Sequence, residues 1–90
     1  MRVEVRKHAE WMSKNDDRIL EYLASNPGKR PHEIRTELSD AAIALQPRYI
    51  DKRLELLERA ALVRRDGLRY ELSDRGRAYL VGEYAVEPIA

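Results

Sequence analysis

Ninety residues, 43% hydrophobic and 37% charged, suffice for one small folded domain and no more. The formal net charge is +1, from 17 Lys and Arg against 16 Asp and Glu, and the absence of cysteine removes disulfides, thiolate metal sites and thiol nucleophiles together. No apolar run approaches a membrane span and no signal-peptide core follows Met1, so a cytoplasmic protein with no membrane partner is expected.

Residues 1–12 read as an N-terminal arm. Val3 and Val5 alternate with charges as in a short strand, whereas 7–12 equally suits the start of a helix. Trp11 and Met12 form a bulky apolar pair suited to the core or to a second copy, which makes the arm a candidate dimer element. A first helix is expected over 13–25, with Ser13 and Asp16 spaced as a capping pair and Ile19, Leu20 and Leu23 on one buried stripe. Asp16-Asp17 suit the positive end of that helix better than a catalytic carboxylate pair. Asn26-Pro27-Gly28 ends it, and Pro31 opens a second helix over 31–38 that turns Ile34 and Leu38 inward. Residues 41–45 then form a turn, with Ile43 and Leu45 as core plugs. His8 and His32 read as surface residues, too few for a histidine metal site.

The third helix, 47–60, organises the rest. Pro47 takes its first position, and Ile50, Leu54, Leu57 and Ala61 recur at a spacing of four, three and four, which puts them on one stripe. At about 100° per residue Arg48, Lys52 and Arg59 fall on the opposite side, with Tyr49 and Arg53 on one flank. From Arg48 to Arg77 basic residues outnumber acidic ones nine to six, and of the 17 basic residues only Lys7, Lys14, Lys29 and Lys52 are lysines, a preference that suits bidentate contact with phosphate or guanine and equally fits a plain codon or lineage bias.

Behind this helix, Asp66-Gly67 between two alternating runs predicts a hairpin over 63–72, with Leu68, Tyr70 and Leu72 on one face and Arg69 and Glu71 on the other. Ser73-Asp74 caps a fourth helix over 74–83 that carries Ala78, Leu80 and a core Tyr79. The tail, 84–90, is short, contains proline and is expected to be poorly ordered. Three helices, a two-stranded hairpin and a closing helix give a mainly α, α+β winged helix-turn-helix over 13–83.

The segment RLELLERAALVRRDGLRYELSDRGRAYL resembles the last helix, wing and closing helix of archaeal winged-helix transcription regulators. It is most similar to the family related to the repressor of haloarchaeal phage phi-H. There a Trp-Met pair precedes an Asp-Asp-Arg-Ile-Leu run, as Trp11-Met12 and 16–20 do here, and a Gly-Arg-Ala-Tyr-Leu run follows the wing, as 76–80 does. The resemblance covers 11–83. It implies a DNA-binding repressor that acts as a homodimer. One departure is Ala61, where many winged helices have the glycine that turns the chain into the hairpin.

A recognition helix inserts its N-terminal part into the major groove, which points to Gln46, Arg48, Tyr49 and Lys52 as base readers, with Arg53 near the backbone. Arg64, Arg65 and Arg69 on the wing are candidates for phosphate contact, as are Lys29 and Arg30 at the start of the second helix, where amides and dipole favour anions. Against this stands an ordinary solvated face: Glu55 is placed to pair with Lys52 and Arg59, and wing charges also protect a sheet edge. The expected function is a sequence-specific double-stranded-DNA-binding transcriptional regulator, with no cofactor, metal, catalytic residue or evident small-molecule effector. The alternative is a winged-helix module for protein contact, using the surfaces of Trp11 or Tyr84.

Overall fold

The computed structural model describes residues 6–39 and 46–88. Its elements run in the order α1 (Lys14–Ser25), α2 (Pro31–Ser39), α3 (Pro47–Arg59), β1 (Val63–Asp66), β2 (Arg69–Leu72) and α4 (Asp74–Leu80). This is the expected α+β layout of three helices, a wing and a closing helix. The turn with Ile43 and Leu45, and the strand expected around Val3 and Val5, lie outside the described residues.

At the start of α1, Ser13 is extended (φ −134°, ψ 169°) and donates its backbone N–H to Asp16 Oδ2 at 2.9 Å, as in a capping box. At its end Asn26 Nδ2 donates to the Tyr22 carbonyl at 2.9 Å before Pro27 leads the chain away. Ile19, Leu20 and Leu23 of α1 pack with Ile34 and Leu38 of α2 and with Ile50, Leu54 and Leu57 of α3, all buried. Helices of 12, 9 and 13 residues are marginal alone in water. Burying each of these aliphatic side chains contributes about 1.5–3 kcal/mol, so the shared core stabilises the helices rather than the reverse.

The expected stripe of α3 needs one correction. Ala61 is not on the buried seam; the helix ends at Arg59, and Ala61 is exposed with a left-handed φ of 61°. Ala61 N–H bonds the Glu58 carbonyl at 2.9 Å and Leu62 N–H bonds the Leu57 carbonyl at 3.0 Å, the two bonds of a Schellman turn. The reversal delivers Leu62 and Val63 into the core in its place.

The wing is also shifted from expectation. Its register pairs Val63 with Leu72, Arg64 with Glu71, Arg65 with Tyr70 and Asp66 with Arg69, so the two loop residues are Gly67 and Leu68, not Asp66 and Gly67. Gly67 has φ 63° and Leu68 does not have a positive φ, the combination a type II′ turn requires. An Asp66-Gly67 loop would set Arg64 opposite Arg69, two like charges face to face; the observed register gives each of these two arginines a carboxylate opposite it. Leu68 consequently leaves the inner face: Tyr70 and Leu72 are 6% exposed and Leu68 is 66% exposed.

Ser73 caps α4, its Oγ accepting Gly76 N–H at 2.9 Å while donating to the Ala61 carbonyl at 2.6 Å. A Cβ on Gly76 would lie 2.2 Å from the Leu62 carbonyl oxygen and 2.6 Å from Leu72 Cδ1, so only glycine lets α4 approach the α3–wing junction this closely. The helix is shorter than expected because Gly82 (φ 77°) closes it in a second Schellman turn, with Glu83 N–H on the Ala78 carbonyl at 2.7 Å.

The tail also differs from the poorly ordered segment expected. Lys7 and Ala85 form a parallel bridge, Val86 N–H bonds the Lys7 carbonyl at 3.1 Å, and Trp11 Nε1 donates to the Glu87 carbonyl at 3.3 Å. Val86, Ala9 and Met12 are buried in the core, and Arg6 Nε reaches the Leu80 carbonyl at 3.0 Å. The two described ends of the chain are joined side by side.

Candidate nucleic-acid interface

Gln46 occupies the N-cap of α3 in extended conformation, and its side chain makes no capping bond. Pro47 follows at a position whose N–H would lack an intrahelical partner in any case. Gln46, Arg48 and Lys52 are exposed, and Arg48 and Lys52 lie across the helix from buried Ile50, Leu54 and Leu57. Among the described residues neither Arg48 nor Lys52 has an ion-pair partner. Lys52, Glu55, Leu56 and Arg59 line one shallow surface depression. Beside this face Arg35 Nη1 bonds Asp51 Oδ1 at 3.0 Å, tying α2 to α3.

Tyr49 and Arg53 were expected at DNA, and the structure turns both toward α1. Tyr49 Oη lies 3.1 Å from Ser13 Oγ and accepts from Asn15 Nδ2 at 3.3 Å. Arg53 donates to both oxygens of fully buried Asp16, at 2.8 and 2.5 Å, and to the Trp11 carbonyl at 2.7 Å. Its guanidinium also sits 5.8 Å from the Trp11 ring centroid and 5.9 Å from that of Tyr49. The Asp16 bonds hold the Arg53 pKa above its usual range, outweighing burial. With the guanidinium so occupied and its side chain 14% exposed, Arg53 fixes how α3 is set on α1. Neither Arg53 nor Tyr49 is left facing outward with the exposed cations of α3.

The wing arginines divide three ways. Arg64 pairs with Glu71, Nε to Oε1 at 2.7 Å, and this bond raises its pKa. The pair is exposed, so it holds the side chain weakly. Arg65 lies 5.2 Å over the Tyr70 ring, and Arg69 Nη1 donates to the Gly28 carbonyl at 2.8 Å. Lys29 exchanges backbone bonds with Tyr70, at 3.1 and 2.7 Å, a single antiparallel bridge at the side of the two-stranded wing. The start of α2, expected to be open to phosphate, already holds an anion of its own. Glu33 Oε1 accepts the Arg30 N–H at 2.9 Å, and this bond lowers the Glu33 pKa, helped by Lys29, His32 and Arg69. Exposed Arg30 remains as a side-chain cation.

A second polar cluster has no counterpart among the sequence-based expectations. Tyr79 is fully buried, and its hydroxyl donates to Asp17, which also meets His8 Nε2 at 3.0 Å and Arg6 at 3.6 Å. The His8 ring stacks on Tyr79 with centroids 6.0 Å apart, so His8 is exposed as expected but engaged by Asp17 and Tyr79. No local signal announces such a cluster, because Asp17 and Tyr79 alone lie 62 residues apart.

Among the described residues no helix is long and apolar enough to cross a membrane, and no group of three or more His, Asp or Glu could hold a metal ion. Among curated proteins no sequence match is found. A solved structure, the PhiH1 repressor-like protein from Haloarcula marismortui, superposes with a TM-score of 0.77 at 29% identity, over 91% of each chain. The family model for the winged helix-turn-helix phage repressor matches residues 5–90. With fold, exposed helix and wing in agreement with that match, the chain belongs to the winged helix-turn-helix phage repressor family.

Proposed function

We propose that the protein is a sequence-specific, double-stranded-DNA-binding transcriptional repressor acting as a cytoplasmic homodimer. The first two turns of α3 enter the major groove and the wing follows the backbone. The observation that carries this reading is the exposed group Gln46, Arg48 and Lys52 at the leading end of a helix whose other side is core. Gln46 can pair with an adenine edge and Arg48 or Lys52 with guanine. Arg64, Arg65, Arg69, Lys29 and Arg30 supply the positive rim for phosphates, which orient without specifying sequence. A second copy follows from arithmetic, because one recognition helix reads too few bases to pick out an operator. The joined chain ends, where Trp11 and Tyr84 are partly exposed, are the proposed side for that contact.

Selection of binding sites from random duplexes with the purified protein tests the reading. A recovered motif with two-fold symmetry, bound with an affinity that falls steeply as salt rises, is the expected result. Negligible affinity for any duplex at low salt would overturn it.

A further inference from the structure

The wing presents its charges and its apex differently. Each of its three arginines is engaged within the protein: Arg64 with Glu71, Arg65 over Tyr70, and Arg69 on the Gly28 carbonyl. These contacts hold the guanidinium groups beside the hairpin. What stands beyond them is Leu68, 66% exposed at the far end of the turn, next to a glycine around which a Cβ would meet nothing within 4 Å. The hairpin is held at a defined height by the Lys29–Tyr70 bridge at its side and by the Leu62–Ser73 bond at its base.

We propose that Leu68 is a minor-groove contact: its side chain enters the groove flanking the α3 site, against sugar walls and base edges, with Arg65 and Arg69 near the phosphates on either side. This rests on the repressor function proposed for the chain. A minor groove is about 6 Å wide, and only the leucine side chain, not the hairpin, needs to enter it. Apolar side chains used this way partly unstack a base step, which is easiest at flexible pyrimidine–purine steps. An arginine-rimmed apolar apex matches that surface better than a protein pocket. The one carboxylate at the tip, Asp66, is already set opposite Arg69. Leu68 thus adds a preference for A·T-rich, deformable flanks outside the bases that α3 reads.

The test compares wild type with Leu68→Ser and Leu68→Met on a selected duplex of about 30 base pairs, long enough for half-sites one helical turn apart. Leu68→Ser is expected to bind about ten-fold more weakly, with an unchanged salt dependence and melting temperature, and Leu68→Met to stay within about three-fold. Replacing flanking A·T by I·C, which lacks the guanine amino group in the minor groove, should leave wild-type binding intact, whereas G·C should weaken it. Equal binding by Leu68→Ser and wild type would overturn this inference and leave the repressor reading standing. So would equal losses with I·C and G·C, or a changed oligomeric state of Leu68→Ser with unchanged DNA affinity. A wild-type protein that binds no duplex would overturn both.

Discussion

Arg53 of α3 closes both carboxylate oxygens of Asp16 at the start of α1, across 37 residues of sequence. Asp16 is fully buried, so removing its partner strands a charge. Arg53→Ala is expected to destabilise by about 3–5 kcal/mol, whereas Arg53→Met paired with Asp16→Leu should recover most of the loss. Urea unfolding of Arg53→Met, of Asp16→Leu and of the double variant measures this coupling, with Arg53→Ala alongside. A loss under about 1 kcal/mol for Arg53→Ala would show that the pair does not hold α3 on α1.

The two Schellman turns make a matched experiment. Ala61 and Gly82 hold the same left-handed position at the ends of α3 and α4. Ala61→Gly should stabilise by about 1 kcal/mol, and Gly82→Ala should destabilise by about as much. Opposite shifts of the denaturation midpoint are the expected reading.

Burial and the bond to Asp17 together push the Tyr79 pKa well above its usual value. In the unfolded chain Tyr79 ionises near pH 10, while in the folded protein it stays protonated. Its contribution to stability is therefore fully present below about pH 10 and declines as pH rises above it. Tyr79→Phe should lose about 1.5 kcal/mol at neutral pH and show a shallower fall in melting temperature between about pH 9.5 and 11.5.

Under the proposed function, helix and wing substitutions separate by what they change. Arg48→Ala and Lys52→Ala should each weaken operator binding about ten-fold or more and alter base preference at one position. Arg64→Ala should weaken all sequences alike and reduce the salt slope by about one, and Glu71→Ala, which removes the carboxylate beside it, should strengthen non-specific binding. Titrations of specific and mixed-sequence duplexes at several salt concentrations distinguish these outcomes.

Local chemistry makes the helices and the wing legible in the sequence. Ser13 with Asp16, Asn26-Pro27-Gly28, Pro31 and Pro47 mark boundaries through backbone requirements that depend little on the rest of the chain. The features that are not legible there are set by distant partners. A helical wheel places Tyr49 and Arg53 on a flank but cannot say that the flank meets Ser13, Asn15 and Asp16 rather than solvent. The dipeptide Asp66-Gly67 is a sound turn signal, yet charge pairing across the strands moves the turn by one residue. The proline-containing tail gives no sign of structure because its partner is the other end of the chain. At the interface Gln46, Arg48 and Lys52 stay exposed where the wheel places them, while the wing arginines are held by contacts that spacing does not reveal.

The missing Cβ of Gly76 reaches further than its own helix. With α4 seated on the Leu62 carbonyl and Ser73 bonded to Ala61, the end of α3, the base of the wing and the start of α4 form one welded block. These contacts tie the position of the wing to that of α3. A ruler of fixed length cannot accommodate its object, so a duplex whose grooves are spaced differently must itself bend or twist to meet both points. Under the proposed function, the elastic cost of that deformation depends on base sequence and would set preferences at steps the protein never touches.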